Sequence, residues 1–204
     1  MPLYKKISFG NFEIALWRNE EDLSFFESKF ASHPEIKNEN KKLQWFATRH
    51  LVNEMRGEFS EIEKDEAGKP FLKNSSQHIS ISHTPVFAAA MLSNLAPVGI
   101  DLEMLNPKVE RIAHKFLRED EINAIQADEK IEKLILYWSA KEALYKLHGK
   151  GGIEFMTQLL IERFELKLSG ILQAEIAGIE QPLINLQVHY EFFEDHVLTY
   201  AMAR

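Results

Sequence analysis

The spacing of apolar residues changes several times along the chain, and this limits the folds that it can adopt. Residues 3–18 alternate apolar and polar side chains around Gly10-Asn11, a pattern that predicts a β-hairpin. Helical spacing then covers 23–30 and, after a proline, 34–57. The first part of the chain therefore predicts a strand pair followed by two helices.

The second part of the chain returns to strand spacing. Residues 59–76 are polar and predict a loop, 78–93 read as two strands, and 98–104 read as a third. A long helix is predicted over 130–148, and short alternating pieces fill 161–203. Because the strands form hairpins instead of alternating strictly with helices, the pattern predicts an α+β fold.

Composition excludes several classes of function. Lys and Arg number 24 against 31 Asp and Glu, a net charge of −7, which argues against sequence-independent nucleic-acid binding. The absence of cysteine removes disulfides, zinc–thiolate sites and cysteine nucleophiles. The first residues contain no continuous apolar signal segment, and no apolar run approaches the ~20 residues of a membrane span. We expect a cytoplasmic protein that binds neither nucleic acid nor membranes.

The segment VGIDLE, residues 98–103, places two carboxylates side by side. In a strand, Asp101 and Glu103 project from the same face, where like charges repel unless a cation lies between them. Oxygen ligands without sulfur or imidazole suit Mg²⁺, and Gly99 is expected to leave backbone room for a ligand. The alternative is an exposed polar strand face.

The segment WSAKEALYK, residues 138–146, lies in the predicted long helix. Helical spacing predicts one contiguous face with a carboxylate at Glu142 and ammonium groups at Lys141 and Lys146. Such a face can bind a metal or a proton next to cations that offset phosphate charge. The alternative is a solvated face with a Glu-to-Lys ion pair.

Two shorter segments are ambiguous by themselves. In HISISHT, residues 78–84, the neighbours Ser82 and His83 do not form a nucleophile–base pair, and no GxSxG elbow occurs, so a serine hydrolase is discounted. His83 is expected to contact a phosphate or to cap a turn. GKPFL, residues 68–72, predicts a rigid turn that carries Lys69.

Together, GKPFL, ISISHT, VGIDLE and WSAKEALYK, in this order, resemble the Sfp-type 4′-phosphopantetheinyl transferases. KFLREDE, residues 115–121, also looks like a segment of that family, and the matching region covers about half of the chain, 68–152. One departure is that 78–82 lacks the usual Phe-Asn before Ser-His. The resemblance implies two similar α+β halves related by a pseudo-twofold axis, divided here at 1–95 and 96–204, in a monomer that binds coenzyme A between them.

The resemblance also implies a reaction. Such enzymes transfer the phosphopantetheine arm of coenzyme A to a serine of an acyl or peptidyl carrier protein and release 3′,5′-ADP. These carriers serve fatty-acid, polyketide or nonribosomal peptide synthesis. Asp101, Glu103 and Glu142 match the family's ligands for Mg²⁺, with Mn²⁺ as a second option.

The remaining roles follow from the same resemblance. Glu142 is the candidate base for the incoming serine, and Lys146 is expected to steady the transferring phosphoryl group. Six further residues are expected to contact coenzyme A: Lys69, Pro70, Ser82, His83, Lys141 and, on an early helix, Arg49. Two alternatives stay open: a non-catalytic relative that binds coenzyme A or a carrier protein, and an unrelated Mg²⁺-dependent phosphohydrolase.

Overall fold

The computed structural model describes residues 3–203, which form eleven strands and four α-helices. Three short 3₁₀ turns lie at Pro107–Arg111, Ala113–Lys115 and Ala127–Glu129. Within residues 3–203, no helix combines the length and the apolar character needed to cross a bilayer. In chain order the elements are β1 (Leu3–Phe9), β2 (Phe12–Arg18), α1 (Leu23–Glu27), α2 (Glu39–Arg56), β3 (Ile62–Lys64), β4 (Pro70–Leu72), β5 (His78–His83), β6 (Phe87–Ser93), β7 (Val98–Met104), α3 (Glu119–Asn123), α4 (Lys130–His148), β8 (Leu159–Ile161), β9 (Ser169–Ile176), β10 (Leu183–Phe193) and β11 (His196–Met202).

The first part of the chain forms a four-stranded antiparallel sheet with strand order β1-β2-β6-β5. The predicted hairpin at Gly10-Asn11 is confirmed. Helix α2 begins at its cap Asn38, whose side chain accepts from the Lys41 amide, and ends at left-handed Gly57. Its apolar face packs on the sheet through buried side chains such as Phe46. This packing buries one face of the sheet.

The second part of the chain forms a five-stranded antiparallel sheet with strand order β7-β11-β10-β9-β8. The long helix predicted over 130–148 is confirmed as α4, and it ends at left-handed Gly149. Eleven of its residues are buried, and Leu136, Ala140 and Leu144 belong to the core that it shares with this sheet. Helix α4 is thus fixed against β7, the strand that carries Asp101.

The two sheets contain a three-stranded unit of the same topology and pack against each other. In the first sheet, a strand (β2), a helix (α2) and two strands (β5 and β6) come in this order along the chain, and the strands lie side by side as β2-β6-β5. In the second sheet, β7, α4, β10 and β11 come in the corresponding chain order, and the strands lie side by side as β7-β11-β10. A separate apolar core lies between them, with Leu16 and Phe87 on one side and Ile100 and Leu198 on the other. The α+β class is confirmed, and the division into 1–95 and 96–204 stays a prediction.

One sequence-based expectation of the fold is wrong. Residues 59–76 are not entirely loop, because β3 and β4 pair as a small antiparallel hairpin. Its turn is closed by the Asp65 carboxylate, which accepts from the Lys69 amide at 2.8 Å, and Gly68 has a φ of 85°. Strands of three residues are too short for alternation to show in the sequence.

A buried histidine lies at the junction of the two sheets. His196, at the start of β11, is fully buried, packs on the ring of Phe87, and has its Nε2 3.1 Å from the Thr84 hydroxyl. Burial lowers the pKa of its imidazole; the nearby Asp195 and Glu194 carboxylates oppose this shift and Arg18 adds to it. The folded protein therefore resists protonation at this position.

Because His196 is buried, we expect the free energy of unfolding to fall in mild acid. The unfolded chain takes up a proton near pH 6.5 while folded His196 does not, so the free energy of unfolding decreases as pH falls through about 6.5. The decrease ends once the folded state is protonated. His196→Gln should flatten this slope in urea titrations between pH 7 and 5, whereas His114→Gln, at an exposed position, should not. Equal slopes for the parent and His196→Gln would contradict the assignment.

Candidate active site

A cleft of about 490 Å³ opens between β5 of one sheet and β7 and α4 of the other. It gathers residues that are far apart in the sequence, from the β3–β4 turn to the end of α4. Eight of the ten predicted site residues line it: Lys69, Pro70, Ser82, His83, Asp101, Glu103, Glu142 and Lys146. The predicted motifs therefore meet in one place.

Gly99 allows the helix to approach the strand closely enough to form this cleft. A Cβ atom at Gly99 would lie 1.9 Å from the Ala143 carbonyl oxygen and 2.7 Å from the Leu147 amide nitrogen. These are backbone atoms of α4, so neither can move without moving the helix. The expectation that Gly99 leaves room for a ligand is wrong, because α4 itself fills that space. The close approach brings Glu142 and Lys146 to the cleft beside Asp101.

Asp101 is the buried centre of the cleft, with 3% of its surface exposed. Its Oδ1 accepts from the Lys146 ammonium at 2.6 Å and from the Ser82 hydroxyl at 3.0 Å. Its Oδ2 is buried and has no hydrogen-bond partner among residues 3–203. The alternative of an exposed polar strand face is therefore excluded for Asp101. A buried carboxylate oxygen without a partner is costly unless a ligand completes it.

The other two carboxylates of the cleft are difficult to ionise. Burial, followed by the charge of Asp101, raises the pKa of Glu103 to about 7. The same two causes raise the pKa of Glu142, and the Lys146 ammonium opposes the shift in both residues. Asp101, Glu103 and Glu142 line the same cleft, and the charge of Asp101 opposes ionisation of both glutamates.

Trp138 contacts a predicted site residue, although the sequence analysis gave it no role beyond its place in the segment WSAKEALYK. Its indole Nε1 donates to Glu103 Oε1 at 2.8 Å, and its ring stacks on Phe155. The contact fixes the orientation of the Glu103 carboxylate and lowers its pKa against the effect of burial. Trp138 lies one helical turn before Glu142. This spacing is the feature of the sequence that could have placed Trp138 beside the cleft.

The assignment of Lys141 to coenzyme A phosphates is corrected by its position. Lys141 is fully buried on another side of α4, and its Nζ donates to the Phe116 carbonyl at 2.6 Å and the Phe155 carbonyl at 3.0 Å. Burial lowers the pKa of its ammonium to about 8, and the Glu121 carboxylate, 3.7 Å away, opposes the shift. Lys146 lies five positions after Lys141, so the two lysines point in different directions around the helix. Lys141 tethers the segments that precede and follow α4.

Two basic side chains outside β7 and α4, Lys69 and His83, line the cleft. Lys69 Nζ donates to the Leu147 carbonyl at 3.0 Å, and burial lowers its pKa. Partial burial and then the charge of Lys146 lower the pKa of His83, with a smaller contribution from Arg49. Arg49 does not line the cleft, and its guanidinium lies 4.0 Å from the centre of the Trp45 ring.

In the described part of the chain, the acidic side chains of the cleft are not already arranged as a metal-binding site. Within residues 3–203, no group of three or more His, Cys, Asp or Glu side chains is arranged to hold a metal ion. The donor set nonetheless suits a hard divalent cation, since Asp101 offers an unpartnered oxygen and the neighbouring Glu103 and Glu142 repel it.

The family of the chain follows from comparison with known proteins. The family model described as the 4′-phosphopantetheinyl transferase superfamily matches residues 97–201, half of the chain. This range includes β7 and α4, which carry Asp101, Glu103, Glu142 and Lys146. The chain belongs to the 4′-phosphopantetheinyl transferase superfamily.

Curated relatives are of the Sfp type. The chain is similar to 4′-phosphopantetheinyl transferase psf-1 of Bacillus pumilus, with 35% identity over 56% of this chain and 53% of that protein. It is also similar to 4′-phosphopantetheinyl transferase gsp of Aneurinibacillus migulanus, with 34% identity over 43% of this chain and 38% of that protein. For 4′-phosphopantetheinyl transferase Sfp of Bacillus subtilis strain 168, the identity is 32% over 42% of this chain and 40% of that protein. The chain spans about half, or less, of the length of these relatives.

Proposed function

We propose that the protein transfers the 4′-phosphopantetheine arm of coenzyme A to a serine hydroxyl of an acyl or peptidyl carrier protein and releases 3′,5′-ADP. The observation that carries the proposal is the Asp101–Lys146 pair at the base of the cleft, flanked by Glu103 and Glu142. Membership of the superfamily and the names of the relatives support the same reaction.

A divalent metal ion fits this donor set, with Asp101, Glu103 and Glu142 as the residues that would hold it. The support is the unpartnered Oδ2 of Asp101 and the burial of the two glutamates beside its charge. When bound, Mg²⁺ or Mn²⁺ supplies positive charge that stabilises the pyrophosphate of coenzyme A during transfer.

The chain's own residues have distinct proposed roles. Burial raises the pKa of Glu142, which strengthens it as an acceptor of the serine proton at the cleft. The half-buried Lys146 ammonium supplies positive charge for the phosphoryl group. His83, Lys69 and Pro70 line the same cleft and are proposed to contact the nucleotide end of coenzyme A. Arg49 is the proposed contact of the 3′-phosphate, from just outside the cleft.

Other features of the proposal follow from the same family membership. One chain contains the proposed coenzyme A cleft with contributions from both sheets, which supports action as a monomer. The partner is a carrier protein in fatty-acid, polyketide or nonribosomal peptide synthesis. A location in the cytoplasm stays a prediction.

Intact-mass spectrometry of apo carrier proteins tests the proposed reaction directly. An apo acyl carrier protein and a panel of apo peptidyl carriers are incubated with this protein, coenzyme A and Mg²⁺. We expect a mass gain of one phosphopantetheine arm, lost with EDTA and restored by added Mg²⁺ or Mn²⁺.

The controls separate the competing functions. Binding of coenzyme A in calorimetry without transfer to any carrier would replace the proposal with a non-catalytic binding relative. Breakdown of coenzyme A without a carrier would indicate a phosphohydrolase. Transfer that persists in EDTA would refute the metal assignment and leave the transferase assignment intact.

A further inference from the structure

Lys141 belongs to the segment WSAKEALYK, yet it does not line the cleft. Its side chain is fully buried, and its Nζ donates to the carbonyl oxygens of Phe116 and Phe155. Burial of an ammonium group is costly unless its hydrogen bonds are made. The position of Lys141 therefore calls for a role other than phosphate binding.

The two residues whose carbonyl groups bind Lys141 also contact Trp138 through their rings. The centre of the Trp138 ring lies 5.1 Å from that of Phe116 and 5.5 Å from that of Phe155. The Phe155 ring stacks on the indole with an angle of 26° between the two planes. Trp138 and Lys141 are three positions apart in α4, so their side chains are neighbours on the helix surface. We call Lys141, Phe116, Phe155 and Trp138 the tryptophan clamp.

The tryptophan clamp contacts the cleft at two points. The indole Nε1 of Trp138 donates to Glu103 Oε1 at 2.8 Å. The ring of Phe155 lies 5.4 Å, between centres, from the ring of Tyr145, which lines the cleft. A displacement of Phe155 would therefore affect side chains on both β7 and α4.

The bond from Trp138 leaves Glu103 able to bind a cation. A carboxylate has two oxygens with about four lone-pair positions, and the indole uses one of them. Carboxylates that bind metal ions are themselves hydrogen-bonded by neighbouring groups, which orient the ligand oxygens. Since ring contacts within the clamp hold the indole, its position does not depend on what occupies the cleft.

We propose that Lys141 positions Glu103 without touching it, by fixing Phe116 and Phe155 against the ring of Trp138. Trp138 is the positioning residue in contact with the carboxylate, and Lys141 acts through it. For its kinetic consequences, this inference rests on the proposed transferase function and on Glu103 as a metal ligand. The rigidity of the tryptophan clamp is independent of both.

Trp138→Phe tests the contact with Glu103, because it keeps an aromatic ring and removes the donor. The Mg²⁺ concentration that gives half of the maximal transfer rate should rise about tenfold or more. The Kd of coenzyme A, measured by calorimetry in EDTA, should change by less than about threefold, because Trp138 does not line the cleft. Trp17→Phe is the matched control: it removes an indole–carboxylate bond to Glu21, of 3.1 Å, outside the cleft. It should change neither value.

Exchange of the indole proton of Trp138 with water provides a readout that needs neither metal nor activity. Nuclear magnetic resonance of the metal-free protein resolves this proton from that of Trp17. In Lys141→Met the exchange at Trp138 should become about tenfold faster, because the two carbonyl groups lose their shared donor. Lys133→Met is the matched control, since it removes another buried lysine of α4, which pairs with Glu129 at 2.8 Å. It should leave the exchange at Trp138 unchanged.

Several outcomes would overturn the proposal. A parent-like requirement for Mg²⁺ in Trp138→Phe would show that the indole does not orient Glu103, and so would a loss of rate that excess Mg²⁺ does not reduce. A tenfold rise in the Kd of coenzyme A in EDTA would make Trp138 a coenzyme A contact instead. Parent-like exchange of the indole proton in a folded Lys141→Met protein would show that Lys141 does not hold the ring.

A second variant keeps the test decisive if Lys141→Met does not fold. Phe155→Leu keeps the carbonyl that binds Lys141 and removes the ring that stacks on Trp138, so the exchange of the indole proton should again become about tenfold faster. Parent-like exchange in this variant would refute the clamp. A parent protein that modifies no carrier would refute the proposed function alone, and the exchange rates would still decide the clamp.

Discussion

Asp101→Asn is expected to reduce carrier modification by about a thousandfold or more, which corresponds to about 4 kcal/mol of transition-state stabilisation. Asp101 is the buried carboxylate that pairs with Lys146 and leaves one oxygen without a partner for a cation. Asparagine keeps an oxygen for Lys146 and Ser82 but removes the charge. The measurement is the rate of mass gain on an apo carrier protein at saturating Mg²⁺.

Two controls keep this result interpretable. Urea titration should show that Asp101→Asn stays folded, with a loss of about 1–3 kcal/mol in the free energy of unfolding, since a charged partner of Lys146 is removed. Asp128→Asn removes an exposed carboxylate outside the cleft and should transfer at the parent rate. A folded Asp101→Asn protein that retains more than a tenth of the parent rate would remove Asp101 from the proposed catalytic site.

Gly99→Ala is expected to have the largest effect on stability. The new Cβ would lie 1.9 Å from the Ala143 carbonyl oxygen, so β7 and α4 must move apart. Overpacking of this kind costs about 1–3 kcal/mol, and more where only backbone can yield, so we expect a loss of about 3 kcal/mol or more in the free energy of unfolding. Thermal and urea unfolding measure this loss.

Transfer activity should fall with Gly99→Ala even at temperatures where the variant is folded, because the displaced helix carries Glu142 and Lys146 away from Asp101. Gly151→Ala is the matched control. Its Cβ would meet nothing within 4 Å, and it lies just beyond α4. Parent-like stability of Gly99→Ala would show that the close approach of β7 and α4 is not required.

Local signals in the sequence predicted most elements of the fold. The hairpin at Gly10-Asn11 and helix α4 with its terminal Gly149 were predicted from spacing and turn residues. These features depend on neighbours within a few positions, so the sequence displays them directly. The β3–β4 hairpin was missed because its strands are too short to establish a period.

The candidate site was predicted through motifs, and its errors came from contacts across the fold. Asp101, Glu103, Glu142 and Lys146 meet in one cleft, as the resemblance implied. The resemblance assigned Lys141 to phosphate because it matches a lysine of the family motif, and residue spacing does not show which groups its ammonium reaches. Its two carbonyl acceptors lie before and after α4 in the chain.

The sequence by itself determined the α+β class and the order of most elements, and its motifs supplied the carboxylates and the lysine of the proposed site. Those properties reside in residue type and local spacing. Only the tertiary structure decided the use of Gly99 as a helix contact, the indole–carboxylate bond of Trp138 and the bonds from β7 amides to the serine hydroxyls of β5. Each of these depends on a distance between segments that are remote in the chain. Such distances follow from how β5, β7 and α4 pack, which no local pattern of residues encodes.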